Sequence, residues 1–247
     1  MTDRAGAPRL VILVPAFNEE ESLPAMLKEL RVSIAGADIV VVDDGSGDAT
    51  GLAAERAGAT VVRLPFNLGV GGAVRTGLRY AQDHGYERAV VLDADGQHDP
   101  AGISALLGAL DAGADIAMGS RFHEGTGGRY QVPRIRRGAM RLLGFVVRVL
   151  TGERYTDVTS GFRAFDRQVI ELFAREYPAE YLADTVEALL IARYAGLRVV
   201  EVPATMRPRA WGKPSNRSFK LVVNYLRLLV GILGSASRRA RSRRGQP

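Results

Sequence analysis

No cysteine occurs in the 247 residues, which excludes disulfides and thiolate metal sites and fits a reducing compartment. Long apolar runs are missing too. Leu10 to Val14 is stopped by Pro15, too short for a signal-peptide core, so the catalytic part is expected to stay in the cytoplasm. The run after Arg227 is seven residues, against roughly 20 for a spanning helix. Acidic residues stop at Glu201: eleven Arg and Lys follow, so residues 1–201 hold 22 of the 33 basic side chains against all 27 acidic ones, and the net charge of +6 belongs to the C-terminal end. Such an end attracts anionic lipid or nucleic acid by the same Coulomb term. The single tryptophan, Trp211, and the aliphatic residues interleaved with the basic ones argue against a nucleic-acid module, which would stack bases on aromatic rings.

What is present is an ordinary globular composition, 47% hydrophobic and 24% charged, enough for one large or two small domains. Leu10–Val14, Ile39–Val42, Thr60–Leu64, Ala89–Leu92 and Ile116–Met118 read as strands, the fourth as a buried parallel one. Helical patterns lie between them, running to about Ala35, then over Ala49–Ala57 and Val70–Asp83. Strand and helix alternating at this spacing predict a doubly wound parallel sheet.

The stretch that follows the fourth strand, Asp93-Ala94-Asp95-Gly96-Gln97-His98-Asp99-Pro100, carries two carboxylates off the carboxyl edge of the sheet, where ligands bind in such folds. Held close, they repel each other unless a cation neutralises them, and oxygen ligands suit Mg²⁺ or Mn²⁺ better than zinc. The alternative is a plain strand end. Asp99 and Pro100 read as a helix start, Asp at the cap and Pro at the first helical position. The first strand runs into Pro15-Ala16-Phe17-Asn18-Glu19-Glu20 without a glycine, so the dinucleotide fingerprint is absent; Gly69-Val70-Gly71-Gly72 lacks its spacing and that of a phosphate loop. Glu19 and Asp44 remain as strand-end carboxylates able to accept from a base or ribose, or simply to cap; Asp48 reads as a helix cap.

Taken in order, Pro15–Glu20, Asp43-Asp44-Gly45-Ser46, Asn67-Leu68-Gly69, Asp93–His98, Gly119-Ser120-Arg121 and Ser160-Gly161-Phe162-Arg163 resemble the motif set of family 2 glycosyltransferases, and within it the polyprenyl-phosphate sugar synthases typified by dolichyl-phosphate mannose synthase. The resemblance spans residues 10 to about 220. It implies a glycosyltransferase-A type α/β domain with a mostly parallel sheet flanked by helices. It places Pro15, Phe17 and Glu19 at the nucleoside, with Phe17 where the family often has Tyr, and Val42 and Asp44 at base and ribose. Asp93, Ala94, Asp95 and Gln97 fall at the nucleotide sugar, with Asp93, Asp95 and Gln97 as ligands of Mg²⁺ or Mn²⁺. Arg121, Arg136 and Arg209 match phosphate-binding arginines and, with Asp95, form the implied catalytic set; Arg137 and Arg207 are neighbours that fit nearly as well. Gly144 departs from a frequent Asn, and Gly212-Lys213-Pro214-Ser215-Asn216 from a frequent Gly-x-Ser-Lys.

The second half does not continue the repeat. Arg134 to Leu150 has helical spacing with separate cationic and apolar stripes, which suits either a surface helix packed on the sheet or a membrane contact. From Ser218 to Gly234 the apolar arc is wider than a surface helix needs, and Arg238 to Arg244 add a polybasic tail. The expected organisation is a catalytic domain over 1–216, an amphipathic interfacial helix over 217–234 and a basic, disordered tail over 235–247. The resemblance implies an inverting transfer from a GDP- or UDP-linked sugar to a polyprenyl phosphate, by a peripheral protein on the inner membrane face, alone or docked on a membrane-embedded partner. The competing reading is a soluble glycosyltransferase with a hydroxyl acceptor, which would need a carboxylate base. Asp184 and Glu187, three apart on one helix, are the candidates.

Overall fold

The computed structural model describes residues 9–123, 134–179 and 183–207. Seven strands form one sheet: β1 Leu10–Ala16, β2 Asp38–Asp43, β3 Thr60–Arg63, β4 Arg88–Val91, β5 Ile116–Ser120, β6 Arg163–Asp166 and β7 Val199–Pro203. Their order is β3-β2-β1-β4-β6-β5-β7. The helices are α1 Leu23–Ser33, α2 Thr50–Arg56, α3 Val70–Asp83, α4 Ile103–Asp111, α5 Arg134–Thr151, α6 Arg167–Glu176 and α7 Ala183–Tyr194, with a 3₁₀ turn at Pro100–Gly102 before α4.

Each of the five strands expected from the sequence forms, and the first four are mutually parallel. Alternation along β1 explains the two-sided burial: Ile12 and Val14 face α1 and α4, packing on Leu23, Leu27 and Leu106, while Val11 and Leu13 face α3 and α6, packing on Val74, Leu78 and Phe173. Two strands lie beyond those expected: β7, which pairs parallel with β5, and β6. The latter enters between β4 and β5 and runs antiparallel to both, so the sheet is mostly parallel, as the resemblance implies, and its one antiparallel strand falls in the half that does not continue the repeat. Because β6 runs backwards, its first residue, Arg163, pairs with Val91 at the carboxyl end of β4. That register brings the Ser160–Phe162 turn to the same edge as Asp93.

The chain reverses its direction of winding at β1, which has β2 on one side and β4 on the other. Such a switch point opens a crevice outside the strands' carboxyl ends. Helix α5 packs by one face, with Leu143 and Val147 buried against Val186 and Leu189 of α7. Its other face leaves Leu142, Phe145 and Val149 exposed. Residues 208–247 lie outside the described set, and with them the 216/217 boundary, the interfacial helix and the basic tail.

Candidate active site

The loops after β1 and β2 brace each other over the switch point. Asn18, with φ of 56°, donates its N–H to Ser46 Oγ at 3.0 Å and accepts from Gly47 N–H at 2.9 Å. Glu19 N–H donates to Thr50 Oγ1 at 2.8 Å, and Ser22 donates its hydroxyl to the Glu19 carboxylate at 2.6 Å. Asp48 accepts from Thr50 N–H at 2.9 Å, one residue ahead of the N-cap position of α2, which falls to Ala49 and not, as expected, to Asp48. Pro15 and Val42 are register partners within the sheet, which leaves the next residue but one, Phe17, exposed on the loop.

Asp44 sits deeper than its sequence context suggests. It is buried, and its two oxygens accept from Leu68 N–H at 2.7 Å and Gly69 N–H at 2.9 Å. The carboxylate therefore fastens the Asn67–Gly69 loop and the start of α3 to the end of β2. Burial pushes its pKa up, and the two N–H donors partly offset that. Gly45 makes the turn beside it at φ +69°, where a Cβ would meet the Phe66 carbonyl carbon at 2.6 Å. Gly45→Ala is therefore expected to destabilise the protein by about 1–3 kcal/mol, through a left-handed backbone and a clash with immovable main chain. Chemical denaturation measures it, and an unchanged midpoint would show that the two loops part easily.

Beyond β4, Asp93 and Asp95 take different surroundings. The Asp93 side chain is 44% exposed and lies against Gly161, whose Cβ, if present, would stand 3.4 Å from Oδ1. His98 approaches its Oδ2 at 3.3 Å through Nε2 and stacks on Phe162, with ring centroids 5.0 Å apart. Asp95 is buried and accepts from Gln97 N–H at 3.0 Å, across Gly96 at φ +69°. Ala94 between them is buried. Asp99 caps the Pro100–Gly102 turn by accepting from Ala101 N–H at 3.0 Å, as its sequence implies.

Both carboxylates offer oxygen only, and among the described residues no group of three or more His, Cys, Asp or Glu is arranged to hold a metal ion by itself. Two carboxylates suit a hard cation that keeps water and takes further oxygens from a diphosphate, as Mg²⁺ and Mn²⁺ do.

The arginines divide. Arg121 sits at the end of β5, where Nε meets Asp157 Oδ2 at 2.5 Å, and Nη2 meets Asp157 Oδ1 at 2.7 Å and Thr159 Oγ1 at 2.9 Å. Asp157 is fully buried. Burial alone would raise its pKa, but the hydrogen bonds and charge of Arg121 outweigh it and hold the carboxyl below the usual range. Glu201 of β7 accepts from the N–H groups of Thr156 and Asp157, each with a contact of 2.9 Å to Oε1, and so sets the Asp157 loop. Arg207 pairs with Glu29 and Asp99. Arg163 is buried and donates to the carbonyls of Ser160 at 2.9 Å and Thr185 at 3.0 Å, tying the turn beside Asp93 to α7. Arg136 lies in α5 and Asp184 in α7, with side chains outside the described set; Glu187 is exposed on α7. Arg209 lies outside the described residues. Asp157 and Glu201 were not singled out from sequence. The polar cluster Thr156-Asp157-Val158-Thr159, just ahead of Ser160–Arg163, is the signal that could have marked the first of them.

The model of the family described as "Glycosyl transferase family 2" matches residues 11–173. A polyprenol monophosphomannose synthase of Mycolicibacterium smegmatis is 33% identical over 211 residues, covering 83% of this chain and 79% of the relative. An undecaprenyl-phosphate mannosyltransferase of Micrococcus luteus is 34% identical over 213 residues, covering 83% and 86%. Among solved structures, glucosyl-3-phosphoglycerate synthase of Mycobacterium tuberculosis, in complex with Mn²⁺, UDP and glucosyl-3-phosphoglycerate, superposes with a TM-score of 0.68 at 20% identity, covering 91% of this chain and 80% of that one. At that identity the likeness speaks to the fold.

Proposed function

Since the chain belongs to glycosyl transferase family 2 and is a glycosyltransferase of the glycosyltransferase-A fold, we propose that it transfers a sugar, with inversion, from a GDP- or UDP-linked donor to the phosphate of a polyprenyl lipid. The observation that carries this reading is the convergence of loops on the carboxyl edge of the sheet at the switch point, with Asp93 beside Gly161 and Asp95 two residues on in the same loop. The two relatives, one a polyprenol monophosphomannose synthase and the other an undecaprenyl-phosphate mannosyltransferase, supply the acceptor class.

In this reading Pro15, Phe17, Glu19 and Val42 face the nucleoside, and Asp44 acts there by holding the Asn67–Gly69 loop. Asp93 and Asp95, with Gln97, would hold Mg²⁺ or Mn²⁺, which when bound supplies positive charge to the leaving diphosphate. An acceptor phosphate is already ionised near pH 7, so it attacks the anomeric carbon without a protein base. The protein's task is to bring two anions together. Arg136 and Arg209 are assigned to the acceptor phosphate, since a planar guanidinium grips two oxygens at once. Arg121 is assigned to the diphosphate side, where Asp157 orients it. A hydroxyl acceptor would instead need a base such as Asp184 or Glu187, and no observation favours it.

A screen of GDP- and UDP-linked sugars, scored for hydrolysis or transfer by the purified chain with Mn²⁺, tests the donor class. Turnover of at least one is expected; none turned over would overturn the reading.

No described helix is long and apolar enough to cross a membrane. Contact with the bilayer is assigned to its surface, on the inner face, from the charge and apolar pattern of the chain. The exposed stripe Leu142, Phe145 and Val149 on α5, a helix without an acidic residue, supports such contact, as does the composition of residues 217–247. Each Arg or Lys near an anionic leaflet contributes about 1 kcal/mol. Deleting residues 217–247 is expected to abolish flotation with anionic vesicles at low salt while nucleotide binding survives. Undiminished flotation would move the anchor to α5; failure of the full chain to float would assign localisation to a membrane-embedded partner.

A further inference from the structure

The segment that leaves β7 crosses back over the Asp93–Asp99 loop. Met206 forms an antiparallel bridge with His98. Arg207 N–H donates to the Gln97 carbonyl at 2.8 Å, and Gln97 Nε2 reaches the Arg207 carbonyl at 3.4 Å. Only a short stretch of main chain makes this contact, and short isolated pairings are weak by themselves. The Arg207 side chain closes it. Nη1 lies 2.6 Å from Glu29 Oε1 on α1, and Nη2 lies 2.9 Å from Asp99 Oδ1, the carboxylate that also caps the Pro100 turn.

One guanidinium thus joins three elements: the helix after β1, the far end of the Asp93–Asp99 loop and the strand exit that leads two residues later to Arg209. We propose that Arg207 is a positioning residue for transfer, a clasp that fixes the strand exit against Gln97–Asp99, at the far end of the loop that carries Asp93 and Asp95. Its guanidinium is spent on two carboxylates, which separates it from the phosphate-binding role that its spacing also allows. The geometry needs an Arg. A lysine is a single point donor and cannot span Glu29 and Asp99 as a planar fork does. Exposed ion pairs add little to global stability, so the effect belongs to local order and turnover.

The transfer readout rests on the proposed function; the exchange readout does not. In the full-length chain, Arg207→Ala, Arg207→Lys and Glu29→Gln are compared by amide hydrogen exchange and by turnover of the nucleotide sugar found in the screen. Arg207→Ala is expected to speed exchange of the Arg207 amide about tenfold and to lower kcat for transfer about tenfold, with donor KM within about twofold; these sizes correspond to losing a locally stabilising pair. Arg207→Lys and Glu29→Gln should fall between. Unchanged exchange would overturn the proposal, as would a fall in kcat accompanied by a raised donor KM and a lowered thermal midpoint, the mark of a merely structural residue. If the wild-type chain transfers nothing to polyprenyl phosphate, the acceptor assignment falls, while exchange at Arg207 and hydrolysis of the nucleotide sugar still decide the clasp.

Discussion

Asp95→Asn is expected to lower sugar transfer by about 10²–10³-fold or more, the loss typical of removing one preorganised electrostatic group from a reacting centre. The substitution is nearly isosteric. It keeps an oxygen that can accept from Gln97 N–H, so the turn across Gly96 should persist and the far-ultraviolet circular dichroism should be unchanged. What disappears is one of two negative charges available to a hard cation. Three measurements separate the possibilities: transfer rate, calorimetric binding of GDP or UDP with Mn²⁺, and the same with EDTA. The assignment expects metal-dependent nucleotide affinity in the wild type and its loss in the variant. A fully active Asp95→Asn enzyme, or wild-type activity untouched by EDTA, would remove the metal from the account.

Asp157→Ala is expected to destabilise the fold by about 3–5 kcal/mol, because it strands a nearly buried Arg121 without its counter-ion. The two pairing distances of 2.5 and 2.7 Å describe a fork gripping both carboxylate oxygens. The pH dependence follows from the direction of the Asp157 shift. Its folded pKa lies below the unfolded one, so the stabilisation is complete above the ordinary carboxylate value of about 3.9 and is lost as pH falls through the lower folded value. Denaturant midpoints collected from pH 7 to pH 2 should therefore converge for wild type and variant at the acid end. A constant gap across that range would show that packing, and not the ion pair, carries the difference. Activity should fall together with stability, since Arg121 loses the group that aims it.

The first half of the fold is legible in the sequence because each strand is an apolar run ended by polar or turn-forming residues, as at Pro15, Asp43 and Asp93. The strand β6 is not. It is four residues long, begins with a charged side chain that is nevertheless buried, and inserts antiparallel between β4 and β5. Short segments carry little periodicity, and pairing with distant strands is a tertiary choice. The site divides in the same way. Carboxylates at strand ends and the Asp99-Pro100 helix start follow from local chemistry. The partners of Asp44, Arg121 and Arg207 lie 24, 36 and 108 or more residues away in the chain, and no local pattern encodes which groups they meet. Arg207 and Arg209 look interchangeable as a sequence until Glu29 and Asp99 are found around the first of them.

The central claim is that the acceptor is a lipid phosphate. Its most direct test incubates the full-length chain with Mn²⁺, a nucleotide sugar radiolabelled in the sugar, and either a polyprenyl phosphate or the matching polyprenol in detergent, then extracts with organic solvent. The account predicts label in the organic phase with the phosphate alone, released by mild acid as expected of a glycosyl phosphodiester. Label carried by the polyprenol as well, or turnover that leaves all label in water with sugar or protein hydroxyls as acceptors, would contradict it.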